Sequence, residues 1–276
     1  MSGDQQRMSE YARRAKVLIE ALPYIQKFRG ATFVIKYGGS AMEDDVIVDR
    51  LLRDIVFLEA VGINPVVVHG GGKAITRRLA DEGVESRFVN GLRVTDQSAI
   101  RIVAEILDHT VNPRIVATIQ RFGGRAKGFS GRGVFTASRL PPQPDGAGGS
   151  VDIGHVGEIV AVDCGGIRED IRDEVVSVVS PLALDPAGGD VLNVNADTAA
   201  AALARQLKAD KIVYLSDVPG IMRDRDDEAS LIASATCDEI AGLARAGVIC
   251  GGMLPKVDSA MAVIKAGVGK VHFIDG

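Results

Sequence analysis

Short runs of β-branched and aromatic residues alternate with segments of helical period along the chain, and this alternation most limits how it can fold. The strand-like runs fall at 31–37 (ATFVIKY), 64–69 (NPVVVH), 175–180 (VVSVVS), 211–215 (KIVYL) and 271–274. Helical periods fall between them, at 46–60, 73–81, 98–122 and 233–247. Strands joined through helices pair in parallel and bury both sheet faces. The expected fold class is therefore α/β, a three-layer αβα sandwich with a mostly parallel central sheet. Residues 153–163 (IGHVGEIVAVD) alternate like a hairpin strand, and 141–150 (PPQPDGAGGS) read as an exposed loop. No internal repeat of solenoid period occurs.

Ahead of the first strand, residues 8–28 have one apolar helical face built from Tyr11, Ala15, Leu18, Leu22 and Ile25. Pro23 is expected to kink or split that helix. Its apolar face can fold back on the body or dock on another subunit, and both readings stay open. Pro113 implies a similar break within 98–122.

Composition narrows the function classes. Lys and Arg number 32 against 36 Asp and Glu, a formal charge of −4, which argues against nucleic acid as the main partner. Aromatics are 4% and Trp is absent, so no base- or sugar-stacking surface is suggested. Cys164, Cys237 and Cys250 are scattered, as reduced thiols are. No apolar run reaches a membrane span and the N-terminus lacks a hydrophobic signal core. A soluble, cytoplasmic protein is expected.

Chemistry concentrates where strands end. Lys36 sits in an apolar strand running into Gly38, Gly39 and Ser40. It is either a strand-end lysine that snorkels to solvent or a charge delivered to a backbone loop that a phosphate approaches closely. Gly70, Gly71 and Gly72 separate the second strand from a helix, an arrangement that gathers backbone N–H groups around an anion. No Walker A loop, nucleophile elbow or G-x-G-x-x-G opening a helix occurs. Arg93 follows an Asn-Gly turn, either as a solvated residue or as a fork for a carboxylate. The stretch 191–208 (VLNVNADTAAAALARQLK) places Asn193, Asn195 and Asp197 ahead of an alanine-rich helix. They cap that helix or face ligand outside the end of a sheet strand. Lys256 lies in the first turn of a helix opened by Pro255, unfavourable for a cation unless a polyanion sits there. His109, His155 and Glu158 read as surface, structural or rim residues, and no spacing suggests a metal site.

Five ordered stretches together resemble the amino acid kinase family: VIKYGGSA at 34–41, VVVHGGGKAI at 66–75, NGLRVT at 90–95, LNVNAD at 192–197 and GGMLPKV at 251–257. GHVGEI at 154–159 and YLSDVPGI at 214–221 support it. NGLRVT and LNVNAD favour the members that phosphorylate N-acetyl-L-glutamate over those acting on aspartate, uridylate, carbamate or glutamate. The resemblance implies transfer of a phosphoryl group from ATP, with Mg2+, to the side-chain carboxylate of N-acetyl-L-glutamate in arginine biosynthesis. By matching position, Lys36 and Lys256 would hold the transferring phosphoryl group and Asp197 would position them. Gly71, Gly72, Arg93 and Asn193 would contact the substrate, and Gly38, Gly39, Ser216, Asp217 and Gly220 the nucleotide.

The resemblance also implies an organisation: an oligomerising helix at 1–28, an acetylglutamate lobe at 29–190 and a nucleotide lobe at 191–276. The N-terminal helix resembles that of arginine-inhibited members, which assemble as hexamers, trimers of dimers, and implies arginine and the signalling protein PII as partners. His272 matches part of their arginine pocket. Members continue beyond this last strand through a helix and a further strand, which would complete that pocket. Two alternatives stand beside this reading, a family member acting on another acid and a non-catalytic arginine-sensing module.

Overall fold

The computed structural model describes residues 3–42, 44–144, 148–216, 220–224, 227–249 and 253–275. Helix α1 (Gly3–Phe28) leads into strand β1 (Thr32–Tyr37). Helix α2 (Asp45–Ala60), strand β2 (Asn64–His69) and helix α3 (Gly72–Asp81) follow. Next come a short hairpin, β3 (Phe88–Val89) and β4 (Leu92–Arg93), then α4 (Gln97–Ile106) and α5 (Asn112–Arg121). Strands β5 (Ala126–Phe129), β6 (Phe135–Arg139), β7 (Gln143–Pro144), β8 (Ser150–Val151) and β9 (Gly157–Val162) precede α6 (Gly165–Arg172). Strands β10 (Val176–Val179), β11 (Leu182–Leu184) and β12 (Val191–Asn193) lead to α7 (Ala196–Leu207). The described chain closes with β13 (Lys211–Ser216), α8 (Cys237–Arg245), α9 (Met253–Lys265) and β14 (Lys270–Asp275).

The central sheet has six strands in the order β14-β13-β1-β2-β10-β5, every neighbouring pair parallel. Successive strand residues point to opposite faces. Val34, Val66, Val68 and Ile212 thus join one core with α7, while Ile35, Val67 and Val178 join another with α2, α4 and α5. This is the expected αβα layering.

The middle of helix α7 is buried on every side: Ala199, Ala200, Ala201, Ala202, Leu203 and Ala204 are all buried. It packs on β1, β2 and β13, on β9 and on α9. Alanine suits a helix enclosed on several sides, since a small side chain lets backbones approach closely.

Three features bear on the sequence reading, and one of them, the helix expected to kink or split at Pro23, departs from it. Strand β12 is not in the central sheet. It pairs antiparallel with β11 in a second, four-stranded sheet ordered β12-β11-β6-β9, because a three-residue strand returning through a tight turn pairs with its own neighbour. Helix α1 runs through Pro23 unbroken. The carbonyl that a proline nitrogen cannot bond is that of Ile19, four residues back, and Ile19 is exposed, so water can serve it. The expected break at Pro113 is a π-helical stretch, Leu107–Val111, between α4 and α5, with Pro113 in the first turn of α5.

Candidate active site

Lys36 shares the parity of Val34, so its side chain leaves β1 on the α7 side. There its Nζ lies 3.0 Å from Asp197 Oδ1, with side-chain exposures of 16% and 32%. The contact is an ion pair by distance, without the alignment of a directed hydrogen bond. Asn195 caps α7, its side chain accepting from the N–H groups of Asp197 (2.8 Å) and Thr198 (3.2 Å). That cap places Asp197 in the first turn, where the helix dipole favours an anion. Asn195 is thus the cap, and Asp197 is left free to face Lys36.

Two glycine loops leave neighbouring strand ends side by side. Gly70 N–H donates to Tyr37 O at 2.6 Å. A Cβ on Gly38 would stand 3.2 Å from Lys36 Cε, so a side chain there would press on that lysine, while its 3.6 Å to Gly70 Cα is ordinary contact. Gly39 has a φ of 75°. Gly71 and Gly72 open α3, where N–H groups have no partner within the helix. A cavity beside them is lined by Gly39, Gly71, Gly72 and Lys73.

Arg93 is buried and anchored. Asn90 and Gly91, with φ of 50° and 78°, form the tight turn that ends β3 and starts β4. The Arg93 guanidinium donates to Gly72 O (2.8 Å), Thr76 Oγ1 (2.9 Å) and Ser86 Oγ, and lies 4.6 Å over the Phe88 ring. Burial pushes its pKa down. The fork thus holds the first turn of α3 at the glycine loop. Thr95 Oγ1 donates to Arg93 O (2.8 Å) and accepts from Asn193 Nδ2 (3.3 Å). Arg93, Asn193, Gly71 and Gly72 are therefore linked into one rim.

Lys256 lies half-buried in the first turn of α9, the helix packed on α7. Tyr214, the register neighbour of Lys36, is buried. Burial pushes its hydroxyl up to about 12, opposed by Ser259 of α9 and reinforced by the charge of Asp197. Ser216 ends β13 opposite Asp275, and Gly220 stands at a φ of 143° near Leu231. Asp217 lies outside the described residues, as do Gly251 and Gly252.

His272 is placed elsewhere. It pairs in register with Val213 on the sheet face of Ile35, opposite the face of Lys36. It lines a groove there with Lys211, Leu215, Arg50 and Asp54. Its Nε2 is buried without a partner among the described residues. Burial, then the charges of Lys211 and Lys270, push its pKa down.

The sequence reading gave no role to His69, the last residue of β2, which is fully buried against Gly70. A titratable residue closing an apolar strand just before three glycines was the available signal.

The amino acid kinase family model matches residues 31–275. The acetylglutamate kinase of Akkermansia muciniphila is 49% identical over 263 residues, covering 95% of this chain and 88% of that one. The acetylglutamate kinase of Carboxydothermus hydrogenoformans is 46% identical over 273 residues, covering 98% and 92%. Among solved structures, N-acetylglutamate synthase from Neisseria gonorrhoeae, complexed with coenzyme A and N-acetyl-glutamate, matches with a TM-score of 0.78 at 28% identity. The match covers 94% of this chain and 57% of the synthase. Giardia carbamate kinase matches with a TM-score of 0.64 at 16% identity, covering 89% and 93%, and shows the fold alone.

Proposed function

The chain belongs to the amino acid kinase family, and on that premise we propose that it transfers the γ-phosphoryl group of ATP to the side-chain carboxylate of N-acetyl-L-glutamate. The products are ADP and N-acetyl-L-glutamyl 5-phosphate, an intermediate of arginine biosynthesis. A carboxylate oxygen forms the new bond to phosphorus as the bond to the ADP oxygen breaks. The substrate is itself the nucleophile, so the protein's task is positioning and charge stabilisation.

The observation that carries this reading is the Lys36–Asp197 pair beside two glycine loops at adjacent parallel strand ends. In the proposed roles, Lys36 and Lys256 hold the charge of the transferring group and Asp197 orients them. Gly71 and Gly72 N–H groups hold the acceptor carboxylate, while Arg93 and Asn193 hold the α-carboxylate and amide end. Gly38, Gly39, Ser216, Asp217 and Gly220 lie along ATP. Mg2+ would be held mainly by the ATP phosphates, whose charge it offsets. Residues 29–190 form the acetylglutamate lobe and 191–276 the nucleotide lobe in this reading, so closure brings the two lysines together.

The exposed apolar residues of α1, including Leu18, Ile19 and Leu22, support assembly through that helix; regulation by arginine and PII and a cytoplasmic location are proposed on the family resemblance alone. Among the described residues no helix is long and apolar enough to cross a membrane.

ADP release with ATP, Mg2+ and N-acetyl-L-glutamate, set against L-glutamate and L-aspartate, tests the reaction. Turnover selective for N-acetyl-L-glutamate is expected. Preference for another acid, or no turnover, overturns it.

A further inference from the structure

We propose that His69 is a positioning residue for this reaction, fixing the direction in which the Gly71 N–H points at the acceptor carboxylate. The role rests on the function proposed above.

An imidazole at the end of an apolar strand is costly to bury unless both its nitrogens are satisfied. His69 is fully buried, and both are. Its Nε2 lies 3.2 Å from Asn112 Nδ2, and its Nδ1 lies 2.8 Å from Gly70 O. The same Asn112 amide nitrogen is 2.9 Å from Val178 O and 3.4 Å from Phe129 O. Carbonyl oxygens only accept, so Asn112 presents its NH2 group to them and to His69. The Nε2 of His69 is then an acceptor, the ring proton sits on Nδ1, and Nδ1–H donates to Gly70 O. Burial keeps the ring neutral, its pKa lowered to about 4.

The consequence for the glycine loop follows from peptide geometry. In a trans peptide the C=O and the next N–H point in opposite directions. Drawing Gly70 O towards the buried ring therefore turns Gly71 N–H away from it, towards the loop. Gly70 N–H, which belongs to the preceding peptide, is tied to Tyr37 O, so the two peptides flanking Gly70 are each anchored. The π-helical stretch supports the same loop from below: a Cβ on Gly71 would stand 2.7 Å from Leu107 Cδ2, and Asn112 directly follows the stretch. One irregular turn thus sets both the floor under Gly71 and the tautomer of His69.

A purely structural histidine would make a different pattern of variants. His69→Asn keeps a short amide donor near the position of Nδ1, whereas His69→Gln carries its amide towards Asn112 and gives up the donor at Gly70. The expected result is kcat/KM for N-acetyl-L-glutamate down roughly tenfold to a hundredfold in His69→Gln, recovery in His69→Asn, and a KM for ATP moved less than about twofold in both. Long-range 1H–15N spectra of the parent are expected to show the Nδ1–H tautomer. Equal losses in the two variants that track their melting temperatures, or a proton on Nε2, overturn the proposal. No turnover by the parent on any of the three acids overturns the function and this role together. An active parent with an equally active His69→Gln variant overturns the role alone.

Discussion

Lys36 Nζ and Asp197 Oδ1 stand 3.0 Å apart, joining the end of β1 to the first turn of α7. Lys36→Ala is expected to lower kcat by about 10²–10³, the scale for losing one preorganised charge donor. Lys256→Ala should do the same, and Asp197→Asn should lower kcat without removing either lysine. Stability should change little, because a partly exposed ion pair contributes about 1 kcal/mol or less. Steady-state ADP release paired with a thermal melt checks this. A kcat within a few-fold of the parent removes that residue from the mechanism.

Arg93 grips its partners with its own fork of donors, so a lysine is no substitute for it. Arg93→Lys should raise KM for N-acetyl-L-glutamate about tenfold or more and destabilise the protein by about 1–3 kcal/mol, since Thr76 and the Gly72 carbonyl lose a partner. An unchanged KM would take Arg93 out of substrate binding and leave it the task of holding α3.

Gly71 and Gly72 should separate when each is replaced by alanine. The new methyl at Gly71 meets the buried Leu107, for an expected loss of about 1–3 kcal/mol. At Gly72 nothing lies within 4 Å, so stability should hold while KM for the acid substrate rises. Urea melts and initial rates on the two variants read both effects. A stable, fully active Gly72→Ala would mean that the open space there is not substrate space.

The buried ring of His69 makes an acid-side prediction. Its pKa falls from 6.5 to about 4, chiefly by burial, opposed by its bond to Gly70 and the charge of Asp108. Below pH 6.5 the unfolded chain takes up a proton that the folded chain refuses. Stability from this group is therefore full above pH 6.5, declines as pH falls towards about 4, and is then constant, a loss of about 3 kcal/mol. Denaturant melts of the parent and His69→Asn across pH 4 to 7 isolate it. Parallel pH profiles would show that His69 is not the group responsible.

Removal of the divalent cation should abolish ADP release and leave the melting temperature unchanged, because the ion is expected to arrive with ATP. Chelation followed by added Mg2+ tests this. A large drop in melting temperature on chelation would point to a metal held by the protein itself.

Much of this protein is legible in local pattern. Alternating strand runs and helical periods gave the layered α/β fold, and the Asn90-Gly91 pair gave the tight turn before Arg93. Asn195 read as a cap and is one. Such features depend on neighbours in sequence, where propensity and side-chain period act directly. Parity could also say that Lys36 leaves the strand on the face of Val34.

What parity could not supply was the element waiting on that face. Only tertiary packing sets α7 across β1, brings Asp197 to Lys36, and moves β12 into a separate sheet. It also places His272 on the face away from Lys36 and closes the π-helical turn beneath Gly71. The role argued for His69 belongs here too, because a single residue carries no period. Its burial, its partner Asn112 and its tautomer exist only once β2, β10 and α5 have packed together. The sequence by itself determined which segments become strands, helices and glycine loops. The tertiary structure decided which of their polar groups meet, because those meetings are set by strand order and close packing rather than by distance along the chain.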